Sequence, residues 1–325
     1  MSALFGLAEV EAALPVVRAV IPPTPQYAWP QLAAATGTEV IIKHENHTPI
    51  GAFKLRGGLV YVDRLKCAYP QATGIVTATR GNHGQSLAFA GARAGLRVVI
   101  VVPHGNSVEK NAAMRGFGAE LIEHGRDFDE AKEHAATIAR ERGCAFVPSF
   151  HRDLVIGVAT YAHEFFTAVA DLDTVYVPIG LGSGICGVIG MRDALGVSIR
   201  VVGVVAQNAN GYALSFAAGH VVPASAARTF ADGMAVRMPD ATALDVIRAG
   251  AERIVEVTED EIAAAIRLYF SATHTLTEGA AAAPLAALMK ERERMTGCRV
   301  GLVVTGQNID ASAMAKVLAG ATPGA

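Results

Sequence analysis

Along this chain, short unbroken runs of β-branched and other apolar residues alternate with Ala-rich stretches whose apolar positions recur at helical spacing. An unbroken apolar run bounded by turn formers reads as a strand buried on both faces, whereas a half-exposed strand would alternate. On that basis strands are predicted at Val40–Lys43, Gly74–Thr77, Val98–Val102, Glu120–Ile122, Thr174–Pro178, Val201–Val205 and Arg299–Val304. Helical patterns fall at Gly84–Gly95, Val108–Gly116, Phe128–Arg142, Asp260–Thr273 and Ala280–Thr296. Such alternation predicts an α/β protein whose parallel sheets are covered by helices. The units between Gly74 and Phe150 would form a small lobe, residues 74–150, inserted into a larger one made of residues 1–73 and 151–325. No repeat or low-complexity linker interrupts the pattern. Only Thr305–Ala325 follows the last predicted strand, so no appended regulatory domain is expected.

Composition narrows the function classes. Apolar residues make up 51% of the chain and charged ones 18%, enough for a sizeable core, and 325 residues favour two packed lobes over one. Lys plus Arg number 28 against 30 Asp plus Glu, with no basic stripe, so neither nucleic acid nor an anionic membrane surface has electrostatic support as a partner. A small metabolite remains. Two stretches lack charge, but Thr174–Met191 is broken by Pro178 and five glycines, and Val201–Ala227 carries Gln207, Asn208, Asn210 and His220. Neither reads as a membrane span. Met1–Phe5 has no basic residue, which argues against a secretory leader. Cys67, Cys144, Cys186 and Cys298 are too scattered for a metal site and are expected to be reduced, mostly buried thiols of a cytoplasmic protein.

Four segments carry candidate chemistry. In Asn46–Gly57, a Pro- and Gly-containing loop leads into a helix whose first turn holds Lys54. A lysine there opposes the positive end of the helix dipole. It is either an ordinary solvated side chain, or one that uses this field and partial desolvation to hold a depressed pKa and act as a nucleophilic amine. In Thr77–Ser86, a strand gives way to a helix through Thr79, Arg80, Gly81, Asn82 and His83; this is a capped turn or a set of donors for a carboxylate. In Pro178–Gly187, glycines expose successive backbone N–H groups that can cradle a phosphate. The same loop contains GxGxxG at Gly182–Gly187, so a dinucleotide site and a nicotinamide-dependent oxidoreductase compete. That reading requires an acid at the tip of the next strand, where the chain has Ala206-Gln207-Asn208. Val303–Asn308 ends a strand on Thr305, either a plain exit or a neutral hydroxyl facing a ring nitrogen.

Taken in order, these segments resemble the fold type II pyridoxal-phosphate enzymes, which share the tryptophan-synthase-β-like fold, and within them the serine/threonine dehydratases. Thr229–Val236, similar to a T-x-A-D-G-x-A-V stretch, and Glu278–Ala282, similar to E-x-A-A-A, extend the resemblance over nearly the whole chain. The resemblance implies pyridoxal 5′-phosphate as cofactor, joined to Lys54, which would then act as acid and base at the substrate's Cα. Phe53 would pack on the pyridine ring and Asn82 would meet its phenolic oxygen. Gly180, Leu181, Gly182, Ser183 and Gly184 would hold the phosphate, Thr305 would face the ring nitrogen, and Glu278 would complete the cofactor-binding set. Thr79, Arg80, Gly81 and His83 would bind the substrate. The implied reaction removes water from a β-hydroxy-α-amino acid, giving a 2-oxo acid and ammonia. A homodimer is the family's common form. A catalytically silent amino-acid-binding protein on the same fold is opposed by the presence of Lys54 and its companions.

Departures from the pattern refine this. Ala52 replaces the usual Ser before Phe-Lys, and Leu181 and Ser183 interrupt a run of glycines. Arg80 stands where racemases of the family carry a serine that serves as second base, so racemisation is not expected; Arg80 contacts the substrate carboxylate or turns out to solvent. Val205–Gly211 has no carboxylate, so the divalent-metal site of some relatives is not expected. The loop Thr79–Gln85 together with His151–Tyr161 looks most like the phenylserine dehydratase branch, with an aryl group at Cβ; threonine, serine and 3-hydroxyaspartate are the alternative substrates.

Overall fold

The computed structural model describes residues 4–324, so the reading made on Met1–Ala3 lies outside the described residues. Ten strands are present among them: β1 (Gln26–Ala28), β2 (Glu39–His44), β3 (Gly74–Ala78), β4 (Arg97–Val102), β5 (Glu120–Glu123), β6 (Ala145–Phe146), β7 (Thr174–Pro178), β8 (Arg200–Ala206), β9 (Arg253–Val257) and β10 (Arg299–Val304). They build a six-stranded sheet in the order β1-β2-β10-β7-β8-β9 and a four-stranded sheet in the order β5-β4-β3-β6. All pairings are parallel except β1 on β2. The α/β class follows directly.

The seven strands predicted from apolar runs are all present, each within one residue at either end. The three that escaped prediction, β1, β6 and β9, are sheet edges. An edge strand is covered on fewer sides, so it has no need of a continuous apolar run. β9 accordingly reads Arg-Ile-Val-Glu-Val, with Arg253 and Glu256 only half-buried. The last predicted helix is shorter than expected, Gly279–Lys290. Its remainder closes in tight turns, with Arg294 N–H donating to Glu291 O at 2.9 Å, before Gly297 turns the chain toward β10. The thiols also need correction: all four cysteines are free, but only Cys186 is buried, and Cys67 is exposed near the solvent end of its helix. No helix among the described residues is long and apolar enough to cross a membrane.

One helix, Lys54–Ala68, joins the parts of the molecule that matter for chemistry. It packs on Arg152–Ala168 and on Asn82–Arg93, and glycine makes both approaches possible. A Cβ on Gly157 would stand 2.4 Å from Arg56 O, and one on Gly58 would stand 2.1 Å from Ser86 Oγ. Ser86 Oγ uses that proximity to donate to Lys54 O at 2.7 Å. On the buried face, Arg56 pairs with Glu45 at 2.7 Å and Glu164 at 2.8 Å, and Lys43 with Glu164 at 2.9 Å. Two cations thus meet two carboxylates with essentially no water. Burial alone would push Glu164 upward, but its hydrogen bonds and the charges of Arg56 and Lys43 prevail and hold the carboxyl below its ordinary value.

Candidate functional site

The four segments singled out in the sequence meet in one cavity of about 510 Å³ between the two sheets. Thr79 follows β3, Gly180 follows β7 and Thr305 follows β10, so the carboxyl ends of three parallel strands open onto it. This is where open α/β sheets place ligands, because the following helices present their N-termini there. Phe53, Lys54, Thr79, Arg80, Gly81, Asn82, His83, Gly180, Leu181, Gly182, Ser183, Gly184, Glu278 and Thr305 all line the cavity.

Lys54 is the first residue of its helix, and its Nζ lies 2.7 Å from Ser183 Oγ and 5.2 Å from the centre of the Phe53 ring. Burial lowers its pKa to about 8. The amine is therefore depressed by loss of water; the helix-end field invoked from sequence is not needed. His83, beside it, is pushed down to about 3 by burial and by the Lys54 charge, so its imidazole is neutral. Its Nε2 is buried without a hydrogen-bond partner.

The glycine-rich segment forms a cradle. Gly182 takes the left-handed conformation (φ 102°) that favours glycine, and the helix Ser183–Leu195 follows at once. The first amides of that helix have no partner within it and face the end of the cavity. Gly180 could not carry a side chain, since a Cβ would lie 2.3 Å from Gly233 O. Tyr212 braces the loop by donating to Leu181 O at 2.9 Å while accepting from Asp240 N–H at 3.1 Å. Phe53 forms a flat wall, held edge-on to Tyr161.

On the opposite side, Thr79 Oγ accepts from Gly81 N–H at 3.0 Å, shaping the turn into the helix Asn82–Arg93. Asn82 Nδ2 donates to Glu278 Oε1 at 2.8 Å. Burial, reinforced by Asp232, raises Glu278 to about 7 even though Lys110 and Asn82 oppose it. Arg80 is partly exposed, lines the cavity and makes no hydrogen bond or ion pair among the described residues. Thr305 is buried at the base, its hydroxyl without a protein partner among them. A reactive amine, a flat aromatic wall, an unspent cradle of amides and unspent donors at His83 and Thr305 fit a phosphorylated aromatic aldehyde.

Sequence reasoning missed Lys110, whose buried Nζ pairs with Asp232 and lies 3.7 Å from Glu278. Nothing local marks it, for it belongs to a helix that reads as an ordinary surface element. Asp232 and Asn308 lay inside segments singled out without receiving a role. Phe128, Phe146 and Phe150, also missed, line the cavity from the four-stranded side.

Residues 17–306 match the family of pyridoxal-phosphate dependent enzymes. The chain is 32% identical to the biosynthetic L-threonine dehydratase of Salmonella typhimurium, across 88% of its own length and 56% of the relative's. It therefore spans just over half of that protein. The L-threonine ammonia-lyase of Geobacter sulfurreducens is 34% identical, with 87% of this chain and 70% of the relative covered. Among solved structures, the processed form of threonine deaminase isoform 2 from Solanum lycopersicum superposes with a TM-score of 0.86 at 27% identity, covering 98% of this chain and 94% of that one. A pyridoxal 5′-phosphate-dependent aspartate racemase gives 0.91 at 26% identity, covering 97% and 99%.

Proposed function

Since this chain belongs to the pyridoxal-phosphate dependent enzymes, with the fold type II architecture and the serine/threonine dehydratases among its relatives, we propose that it removes water from a β-hydroxy-α-amino acid to give a 2-oxo acid and ammonia. The observation that carries this reading is Lys54: an amine lowered to about 8 by burial, whose Nζ donates to Ser183 Oγ of the glycine-rich cradle at 2.7 Å. When bound, pyridoxal phosphate supplies a carbonyl carbon for amines and an electron sink for charge at Cα.

The residues divide the remaining work. The amides of Gly180–Gly184 and the Ser183 hydroxyl would hold the phosphate, Phe53 would support the ring, Thr305 would face the ring nitrogen and Asn82, backed by Glu278, would donate to the phenolic oxygen. Thr79, Gly81 and neutral His83 hold the substrate carboxylate, with Arg80 beside them as the cation of the set. Lys54 Nζ takes the Cα proton; as an ammonium it returns a proton to the departing hydroxyl, which leaves as water. The unsaturated amine then hydrolyses to oxo acid and ammonia. No second base opposes Lys54, because position 80 is arginine, so L-serine should undergo negligible conversion to D-serine. Appreciable racemisation in a chiral assay contradicts this arrangement.

The narrower substrate reading is L-threo-3-phenylserine. Phe128, Phe146 and Phe150 give the outer wall an aromatic lining suited to an aryl group at Cβ. Threonine or serine is the simpler alternative, and Arg80 keeps 3-hydroxyaspartate in the comparison. The same reading makes the protein a cytoplasmic homodimer, with residues 1–73 and 151–325 as the cofactor-binding domain and 74–150 as the smaller one. Membership of β3 to β6 in a separate sheet supports that division.

The purified protein should be yellow, and borohydride should fix the cofactor to Lys54, found by peptide mass. Lys54→Ala should lose turnover by several orders of magnitude; near-normal turnover defeats the proposal. A 2-oxo-acid assay should rank phenylserine above serine, threonine and 3-hydroxyaspartate by kcat/KM. A reversed order defeats only the narrower reading.

A further inference from the structure

We propose that Asn308 and Glu278 are positioning residues that lock the Asn82 carboxamide with one N–H aimed at the cofactor's phenolic oxygen, and so set the charge on that oxygen. This rests on the reading above that Asn82 meets the ring there.

The Asn82 amide is held from both ends. Asn308 Nδ2 donates to its oxygen at 2.8 Å, and its own Nδ2 donates to Glu278 Oε1 at 2.8 Å. A carboxamide has one oxygen and two N–H bonds. With the oxygen and one N–H engaged, the remaining N–H is the group it can offer the cavity. Both anchors are themselves fixed. Asn308 Nδ2 also donates to Ile50 O at 2.9 Å, and the Glu278 N–H donates to Gly306 O at 3.1 Å. Gly306 is what admits them, since a Cβ there would lie 2.6 Å from Glu278 Oε1 and 3.2 Å from Asn82 Nδ2. The anchors lie after β10 and before the helix Gly279–Lys290, whereas Asn82 follows β3 of the other sheet. The donor is therefore correctly aimed only when the two sheets are brought together.

Asn308→Asp provides the test, because aspartate keeps the shape of asparagine but can only accept. Asn82 must then turn its nitrogen toward residue 308 and its oxygen toward the cavity and Glu278, whose carboxyl, raised to about 7 by burial, can hold the proton that it then donates to that oxygen. Loss of a donor to a charged oxygen raises that oxygen's titration midpoint by about one to two pH units. In N308D the visible absorption of the resting holoenzyme should therefore move toward the near-ultraviolet, with its pH midpoint raised by that amount. Asn308→Ala, which leaves the Glu278 anchor in place, should shift it less. Asn82→Ala should shift it as far as N308D does, and N308D should add nothing in that background. Thermal melting of the cofactor-free variants checks folding. Should N308D not fold, Asn308→Ala combined with Glu278→Leu should shift the midpoint by more than the sum of the single changes, because either anchor alone still holds the amide.

An unshifted N308D, an alanine effect as large as the aspartate effect, a full N308D shift persisting in N82A, or additive single changes would each overturn the inference. An N82A spectrum identical to the wild type would overturn the placement of Asn82 itself, and is distinguishable because it needs no change at residue 308.

Discussion

At the scale of single residues, water decides more than charge. Lys54 sits at a helix start, where a cation is disfavoured, yet its depression to about 8 from an ordinary 10.5 comes from burial. The sign is fixed: below pH 8 the amine is an ammonium and unreactive, and above it the amine is free. In the cofactor-free protein, the rate of Schiff-base formation by Lys54 with a small aldehyde should therefore rise to a plateau with a midpoint near pH 8, measured by borohydride trapping at early times. A midpoint near that of a solvated lysine would show that the amine is not desolvated. His83 adds no cation to the substrate loop at any working pH, because burial and the Lys54 charge hold it near 3. Among the side chains of that loop, only Arg80 supplies a cation.

At the scale of elements, the position of Lys54 is set by how closely three helices approach. Gly157 and Gly58 permit the contacts that place the helix Lys54–Ala68 against its neighbours. In Gly157→Ala the new methyl would fall 2.4 Å from the backbone oxygen of Arg56, which cannot move without the helix. Such overpacking costs about 1–3 kcal/mol, so the melting temperature should fall and cofactor affinity, followed by fluorescence, should weaken with it. Unchanged melting and affinity would mean that the helices tolerate separation. The buried pairs beneath act on the same helix: Arg56→Met leaves Glu45 without its cation and Glu164 with Lys43 alone, for which about 3–5 kcal/mol of destabilisation is expected in denaturant titration.

For the molecule as a whole, the charges that matter bridge the two sheets. Lys110, from the helix after β4, reaches Asp232 and Glu278 on the other side. Glu278 already titrates near 7, above its ordinary value, so the folded state holds its proton more tightly than the unfolded state and stability falls as pH rises from about 4.5 to 7. In Lys110→Met the opposing cation is gone and Glu278 moves higher still. The loss of melting temperature relative to wild type should then grow between pH 5.5 and 8; a loss independent of pH would assign Lys110 a packing role only.

The order of the interior strands, the α/β class and the four segments that meet in the cavity were legible in the sequence, because interior parallel strands must be apolar throughout and glycine-rich strand-to-helix turns are local devices. The edge strands β1, β6 and β9 were not, since an edge has no need of a continuous apolar run, although β5, also an edge, was. Nor was Lys110, whose partners are 122 and 168 positions away in the chain and become neighbours only when the sheets meet. The sequence by itself determined where an amine, a glycine-rich run of amides and a cluster of polar donors stand, for those are properties of residue types in short segments. Tertiary structure alone decided how strongly Lys54 is desolvated, which way Asn82 points and where Glu278 titrates, because each depends on the exclusion of water and on the proximity of side chains from distant parts of the chain.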